Sequence, residues 1–461
     1  MRPSASSAWL HALARRLHFY AGILVAPFIA VAAASGALYA LAPQVEKVAY
    51  SHVLTVEATD TRLNLDEQVS LANIYAGQES PVAVRPAVAP GTTTRVMYAD
   101  ETLGESTTRA IFLDPGTGQI LGDYPVYGSS GSLPFRTWVS GLHRNLHLGQ
   151  AGRLYSELAA SWLWVIAASG LVLWGLRARR LRAGREALMP RRGLDGYLRT
   201  LSRHSSAGFW LAAGLLFLSA TGLTWSNYAG AKVSDLREAL SWTTPVVSTS
   251  LTGAAADSSS SADHADHAAP TTGSPAGVAD TLPATSYTKV LSAARAVNID
   301  SVNLEIRPSQ DPHTAWVLQE TQRFYPTQVD AVAIDPYTYT AIDRTDFATY
   351  PLAAKLTRWG IDVHMGTHFG LANQLILFAL ALATLALCAW GYLMWWQRRP
   401  RGSRTWGSVP SLTSLAQVPL PAWLLLAVLV VAVGLFLPLL GVSLLVFTAC
   451  DLLIYTLRRR L

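Results

Sequence analysis

Residues 143–176 read HRNLHLGQAGRLYSELAASWLWVIAASGLVLWGL, and residues 364–396 read HMGTHFGLANQLILFALALATLALCAWGYLMWW. Each stretch opens on two histidines four residues apart and passes a glycine (Gly149, Gly370). It then runs into an apolar segment with a second glycine (Gly170, Gly391) and a tryptophan (Trp174, Trp395) at matched places. All of these pairs are 221 residues apart, so the two stretches are read as one motif met twice. The apolar part reaches the length of about 20 residues that a helix needs to cross a hydrocarbon core.

The same spacing extends into the loops. Leu113-Asp114-Pro115-Gly116-Thr117-Gly118 is matched 221 residues later by Ile334-Asp335-Pro336-Tyr337-Thr338-Tyr339. Towards the N-terminus the offset falls to 186: His18 pairs with His204, Gly22 with Gly208, and Ser35-Gly36 with Thr221-Gly222. The offsets differ by 35 residues, the length of a Ser/Ala/Gly/Asp-rich tract at 246–280. That composition reads as a disordered linker. The chain is thus expected to be an internal duplication, each half being one span, one extracytoplasmic domain and one span. Both halves run in the same sense, so the repeats are parallel, related by an axis along the membrane normal.

Six transmembrane helices follow. The first closes the segment 1–41, its apolar run being 17–41; others are expected at 156–176, 205–228 and 370–396. The tail, 420–461, is too long and apolar for one span and is expected to fold as a hairpin of two around Pro438 and Gly441. Between them lie a first loop domain (42–155), an Arg-rich loop (177–204), a second loop domain (229–369, containing the linker) and a short loop (397–419). Arginines cluster at 15–16, 177–203, 398–404 and 458–460, all on one side of a six-span chain. The positive-inside rule makes that side cytoplasmic, with both termini, and the large loops extracytoplasmic. The net charge of +6 is then a topology signal, and nucleic acid is excluded as a partner. The first apolar run exceeds a signal-peptide core and reads as a retained anchor. Strand-like stretches at Arg109–Leu113, Thr314–Gln319 and Ala331–Ile334, closed by Asp-Pro turns, make the loop domains α+β.

Only 14% of residues are charged, and the two cysteines, Cys388 and Cys450, lie in apolar runs. Disulfide frameworks, four-Cys iron–sulfur sites and CxxCH haem attachment are excluded. Histidine carries the remaining chemistry. His18 and His204 fall at the cytoplasmic ends of the first and third spans, and His143, His147, His364 and His368 near the outer ends of the second and fourth. Paired neutral imidazoles on facing helices suit bis-histidine ligation of non-covalent haem b. The matched glycines would thin the helices for a macrocycle or for helix packing. Inner and outer sets are about 30 Å apart, so His18 is expected to pair with His204, and His143/His147 with His364/His368, for two haems or more. Each HxxxH is expected to put both rings on one helical face. A four-histidine zinc site is the rival, although Arg144 and Met365 stand where HExxH needs glutamate. His11, His52, His313, and His264 and His267 of the linker, have no duplicates, and Asp451 reads as an interface residue near Arg458.

The Arg15-Arg16-Leu17-His18 start, the turn Asp114-Pro115-Gly116-Thr117-Gly118-Gln119-Ile120-Leu121-Gly122, the HxxxH segment and the repetition of all three resemble PepSY-associated membrane proteins over about residues 10–400. The second turn differs, with Tyr339 where the first has Gly118. The resemblance implies a polytopic α-helical protein of the bacterial inner membrane, with two periplasmic α+β PepSY-like domains. It also implies an oxidoreductase of the siderophore-reductase type, with haem b held by His18, His143, His147, His204, His364 and His368. Its partners would be ferric siderophore, membrane lipid and an external electron donor. No GxGxxG follows a strand, so the donor would be a cytoplasmic reductase or quinol. The rival readings are a haem electron-transfer subunit serving another periplasmic acceptor, and a non-redox PepSY-type binding protein.

Overall fold

The computed structural model describes residues 5–181, 187–251, 285–399 and 418–460. Most of the linker (252–280) and of the 397–419 loop lies outside the described residues, as do Arg182, Arg185, Arg401, Arg404, His264 and His267. The chain divides into two compact units. One comprises 41–140 and 237–374; the other comprises 1–40, 141–236 and 375–461.

The first unit is built on an eight-stranded antiparallel sheet: β1 (Ala83–Arg85), β2 (Thr94–Tyr98), β3 (Thr107–Leu113), β4 (Ile120–Tyr127), β5 (Leu304–Arg307), β6 (Trp316–Glu320), β7 (Ala331–Ile334) and β8 (Ala341–Thr345). Its order is β4-β3-β2-β1-β5-β6-β7-β8. Two loop domains were the expectation; their strands instead share one sheet, joined where Val84 pairs with Ile306. Strands of three to five residues such as β1 and β5 cannot close a core alone, and the seam gives each a partner on both sides.

One face of this sheet is apolar. Val84, Val96, Ile111, Ile306, Leu318 and Val332 are fully buried there under the helices Leu65–Ala76 and Tyr287–Ala296. The helices present Leu65, Val69 and Ala72, and Val290 and Ala294, the i, i+4, i+7 stripe of an amphipathic helix. Asn64 caps the first helix in a reciprocal box with Glu67. Asp66, in its first turn, reaches the second helix: its carboxylate accepts from Tyr287 N (2.6 Å) and Ser286 Oγ (2.7 Å). Asn64→Ala is expected to cost about 1 kcal/mol, measurable as a lower thermal midpoint.

The opposite face is charged at its centre. Arg85 and Arg95 are direct cross-strand neighbours, an unfavourable pairing by itself. Glu305 offsets it, accepting from Arg85 Nε at 2.7 Å and Arg307 Nε at 2.6 Å. Burial works to raise the Glu305 pKa, but Arg85 and Arg307 outweigh it and hold the carboxyl at about 2. Burial, then the Arg85 charge, brings Arg95 down to about 9. Its guanidinium lies 4.6 Å over the Phe112 ring and donates to Gly131 O at 2.9 Å.

The two Asp-Pro turns are alike in detail. Asp114 N donates to Gln119 O and Gly118 N to Asp114 O; Asp335 N donates to Thr340 O and Tyr339 N to Asp335 O. Gly118 has φ +75° and Tyr339 φ +57°, so the tyrosine takes the left-handed conformation that glycine takes without steric cost. Its ring packs at the core margin beneath Lys289, which holds it there.

In the second unit, helices Ala5–Leu24 and the start of Ala26–Ala49 run on through Val25, whose N–H still bonds Ala21 O. Helices Gly149–Leu181, Gly196–Leu223 and Gly370–Gln397 carry the expected second, third and fourth spans. Among the described residues four helices are long and apolar enough to cross a membrane: Ala26–Ala49, Gly149–Arg180, Gly196–Leu223 and Gly370–Gln397. The tail supplies two shorter apolar helices, Leu420–Phe436 and Pro438–Leu453, broken before Pro438 as expected. Glycines let them approach: an added Cβ on Gly441 would stand 2.8 Å from Gly434 Cα.

Candidate functional site

A cavity of about 690 Å³ opens among the helices of the second unit, lined by His18, His204, Gly22, Gly170, Gly208 and Gly391 and by apolar side chains such as Leu163, Ile166 and Leu387. The expected glycines divide into two uses. A Cβ on Gly22, Gly208 or Gly391 would meet nothing within 4 Å, so these positions keep the cavity wide. A Cβ on Gly170 would come within 3.1 Å of His18 Cε1, so this position makes room for the ring.

His18 and His204 face each other, ring centroids 6.0 Å apart and planes at 79°. Each ring has its Nδ1 engaged. His18 Nδ1 lies 3.0 Å from Ile166 O and 3.2 Å from Ser169 Oγ. The serine donates its own proton to Val165 O at 2.7 Å, so both neighbours are acceptors and Nδ1 carries the hydrogen. His204 Nδ1 lies 3.2 Å from Leu387 O, with the same consequence. Ile166 and Leu387 are themselves 221 residues apart. With Nδ1 protonated, each Nε2 carries the ring's lone pair, the state of an imidazole that binds a metal while its other nitrogen is anchored. Two metal–imidazole bonds of about 2 Å, with half a ring at each end, put centroids about 6 Å apart. The residues therefore fit a bis-histidine haem.

His143 sits in a seat like that of His18. Its Nδ1 lies 3.1 Å from Ser35 Oγ, which donates to Val31 O, and a Cβ on Gly36 would reach 3.2 Å from its ring. Burial lowers its pKa below the ordinary imidazole value, favouring the neutral ring. A Ser-Gly dipeptide thus carries a histidine twice, at 35–36 and 169–170. The sequence reading paired Ser35-Gly36 with Thr221-Gly222 and did not single out Ser169-Gly170, nor the part either serine plays in seating a histidine.

The expectation that each HxxxH lies on one helical face is corrected. The helix Pro134–Asn145 ends before His147, and Leu146 and His147 are both left-handed, with φ +52° and +56°. The next helix starts at Gly149, and Gly152 lets it fold back close on Asn145. In the second copy His364 ends the helix Leu352–His364, Gly366 turns at φ +75°, and His368 precedes the helix from Gly370. Each motif spans a helix–turn–helix corner, so its two rings are not stacked a turn apart. His147 packs on Gly141, where a Cβ would reach 2.6 Å from its Cε1. His368 is 6% exposed and its Nδ1 is buried with no hydrogen-bond partner among the described residues. Tyr325 and Phe369 meet its ring edge-on, at 6.0 and 4.5 Å. His18, His204, His143 and His147 belong to the helical unit, and His364 and His368 to the sheet unit. No three His, Cys, Asp or Glu side chains gather as a metal-ion site among the described residues, so the zinc alternative gains no cluster.

Asp451 also departs from expectation. It is ion-paired with Arg16 and accepts from Tyr20 Oη at 2.6 Å, residues that flank His18 by two positions on either side. The last helix thereby grips the helix that carries His18, and its Ser443 Oγ accepts from Trp162 Nε1 of the helix Gly149–Leu181 at 2.8 Å. Glu157, 1% exposed, was missed too; it accepts from Tyr228 N and Ala229 N and caps the helix Tyr228–Ala239.

Residues 15–398 match a family model described as the PepSY-associated TM region. The match takes in all six duplicated histidines and stops before the tail hairpin. No curated protein matches the chain.

Proposed function

The chain belongs to the PepSY-associated transmembrane family, and from that premise we propose a haem b protein of the bacterial inner membrane that reduces ferric siderophore in the periplasm and releases Fe(II). The observation that carries the reading is the His18–His204 pair, 6.0 Å apart across a glycine-widened cavity with both Nδ1 atoms anchored. In this reading His18 and His204 would hold an inner haem, and His143, His147, His364 and His368 are the ligand candidates on the outer side. When bound, haem supplies one-electron redox chemistry. The chain's own residues fix the imidazole tautomers, exclude water with the apolar lining, and keep the two ligand helices in register. One electron from a cytoplasmic reductase or quinol converts Fe(III) to Fe(II), and no bond to the protein forms or breaks. Hard oxygen chelators hold Fe(II) far less well, so reduction loosens the metal.

The reading includes six spans, cytoplasmic termini, a periplasmic sheet unit and a parallel duplication. The symmetric strand order and the paired bonds of Ile166 with His18 and Leu387 with His204 support the duplication. Four apolar helices and a broken apolar hairpin support the span count.

The test is to reduce the purified full-length protein with dithionite and mix it anaerobically with ferric siderophore and with other acceptors. The haem band is expected to reoxidise with ferric siderophore while an Fe(II) chelator captures the product. A reduced spectrum that ferric siderophore leaves untouched, but another acceptor discharges, would point to an electron-transfer subunit instead. Protein without any haem band would leave a non-redox family member.

A further inference from the structure

The cavity holding His18 and His204 has one strongly basic end. Arg15, Arg177, Arg180, Arg191 and Arg398 line it, and among the described residues no aspartate or glutamate does. The guanidinium groups of Arg15, Arg177, Arg180 and Arg398 on a largely apolar cavity repel one another, and anionic charge on a ligand relieves that repulsion. Arg177 makes the demand specific. Its Nη1 is buried with no hydrogen-bond partner among the described residues, and an unsatisfied charged donor is costly to bury. Arg398 is held in place, stacked 4.5 Å over the Tyr197 ring and donating to its hydroxyl. Arg177 lies two helical turns, on the order of 10 Å, along the helix from Gly170, against which His18 packs.

We infer that this cavity binds a flat apolar ligand carrying carboxylates along one edge, with those carboxylates received by Arg177 and Arg398. The inference rests on the haem reading above and deepens it: the two carboxylates of the macrocycle face the arginines, which sets the orientation of the ring between the histidines. A planar guanidinium can take a carboxylate through two parallel N–H donors, so an ester, which has no charge, is a poor substitute.

Full-length protein made in haem-depleted cells is titrated in detergent with haem b and with its dimethyl ester, following the bis-histidine absorption band. The diacid is expected to bind about tenfold or more tightly than the diester. In the Arg177→Gln/Arg398→Gln double variant the two ligands should bind alike, and an Arg177→Lys/Arg398→Lys variant should restore part of the preference. Equal affinity of the unaltered protein for diacid and diester overturns the inference and leaves the haem reading intact. Failure of both ligands to give the band overturns both. The haem content of the Gln and Lys double variants purified from haem-replete cells gives a second measure. Full retention in the Gln variant counts against the arginines, and loss in Gln with recovery in Lys supports them.

Discussion

Glutamine in place of both His18 and His204 is expected, on the proposed haem reading, to remove the inner haem altogether while leaving haem held by the outer histidines. Glutamine keeps most of the side-chain volume, so the cavity wall survives, but it has no imidazole nitrogen to give iron. Each ring is held by a backbone carbonyl and faces its partner across 6.0 Å, and among the described residues His11 is the one other histidine lining the cavity. The reduced-minus-oxidised spectrum, scaled to protein concentration, should therefore lose a whole haem equivalent. Either single substitution should already weaken binding steeply, because bis-histidine ligation needs both bonds. Unchanged haem per chain in the double variant would remove the inner site from the account.

The second large effect concerns the sheet. Glu305→Gln is expected to destabilise the sheet unit by about 3–5 kcal/mol, the range for breaking a buried pair and leaving its partner charges uncompensated. Arg85 and Arg307 would both lose the carboxylate, while Arg85 still faces Arg95 across the strand pair. The pH dependence follows from the depressed carboxyl. Its pKa is about 2 when folded against an ordinary 4.5, so between these values the unfolded chain binds the proton and the folded one does not. The stabilisation is full above about pH 4.5 and is lost as pH falls through the window towards 2, about 3 kcal/mol in all. Denaturation of full-length protein at a series of pH values should show wild-type stability dropping across that window. The Glu305→Gln curve should be flatter by the same amount, and parallel curves would show that the carboxyl is not charge-paired in the fold.

What could be read from the chain beforehand followed from local, repeated signals. The apolar runs at 156–176, 205–228 and 370–396 announce the helices Gly149–Leu181, Gly196–Leu223 and Gly370–Gln397, and the 221-residue spacing foreshadows the equivalent Asp-Pro turns and the equivalent anchors of His18 and His204. Spacing alone misled where backbone conformation intervened. An HxxxH pattern suits a helix, and nothing in it reveals that Leu146 and His147 turn left-handed. The Asp451–Arg16 pair joins residues from opposite ends of the sequence, and no periodicity connects them. The charged sheet face was equally hidden. In strands as short as Ala83–Arg85 one arginine among two apolar residues reads as an edge, until the register sets it opposite Arg95 and beside Glu305.

The seam between β1 and β5 also bears on how the protein is made. Val84 and Ile306 pair although roughly 220 residues separate them. At about 5–20 residues per second, a ribosome finishes β1 roughly ten to forty seconds before β5 exists. For that interval the nascent first half has an open strand edge, with unpaired N–H and C=O groups that another emerging chain could join. Two copies of the first half, meeting edge to edge, would imitate the finished sheet. Cells making this protein in quantity therefore need to keep growing chains apart, or shielded, until the second half arrives.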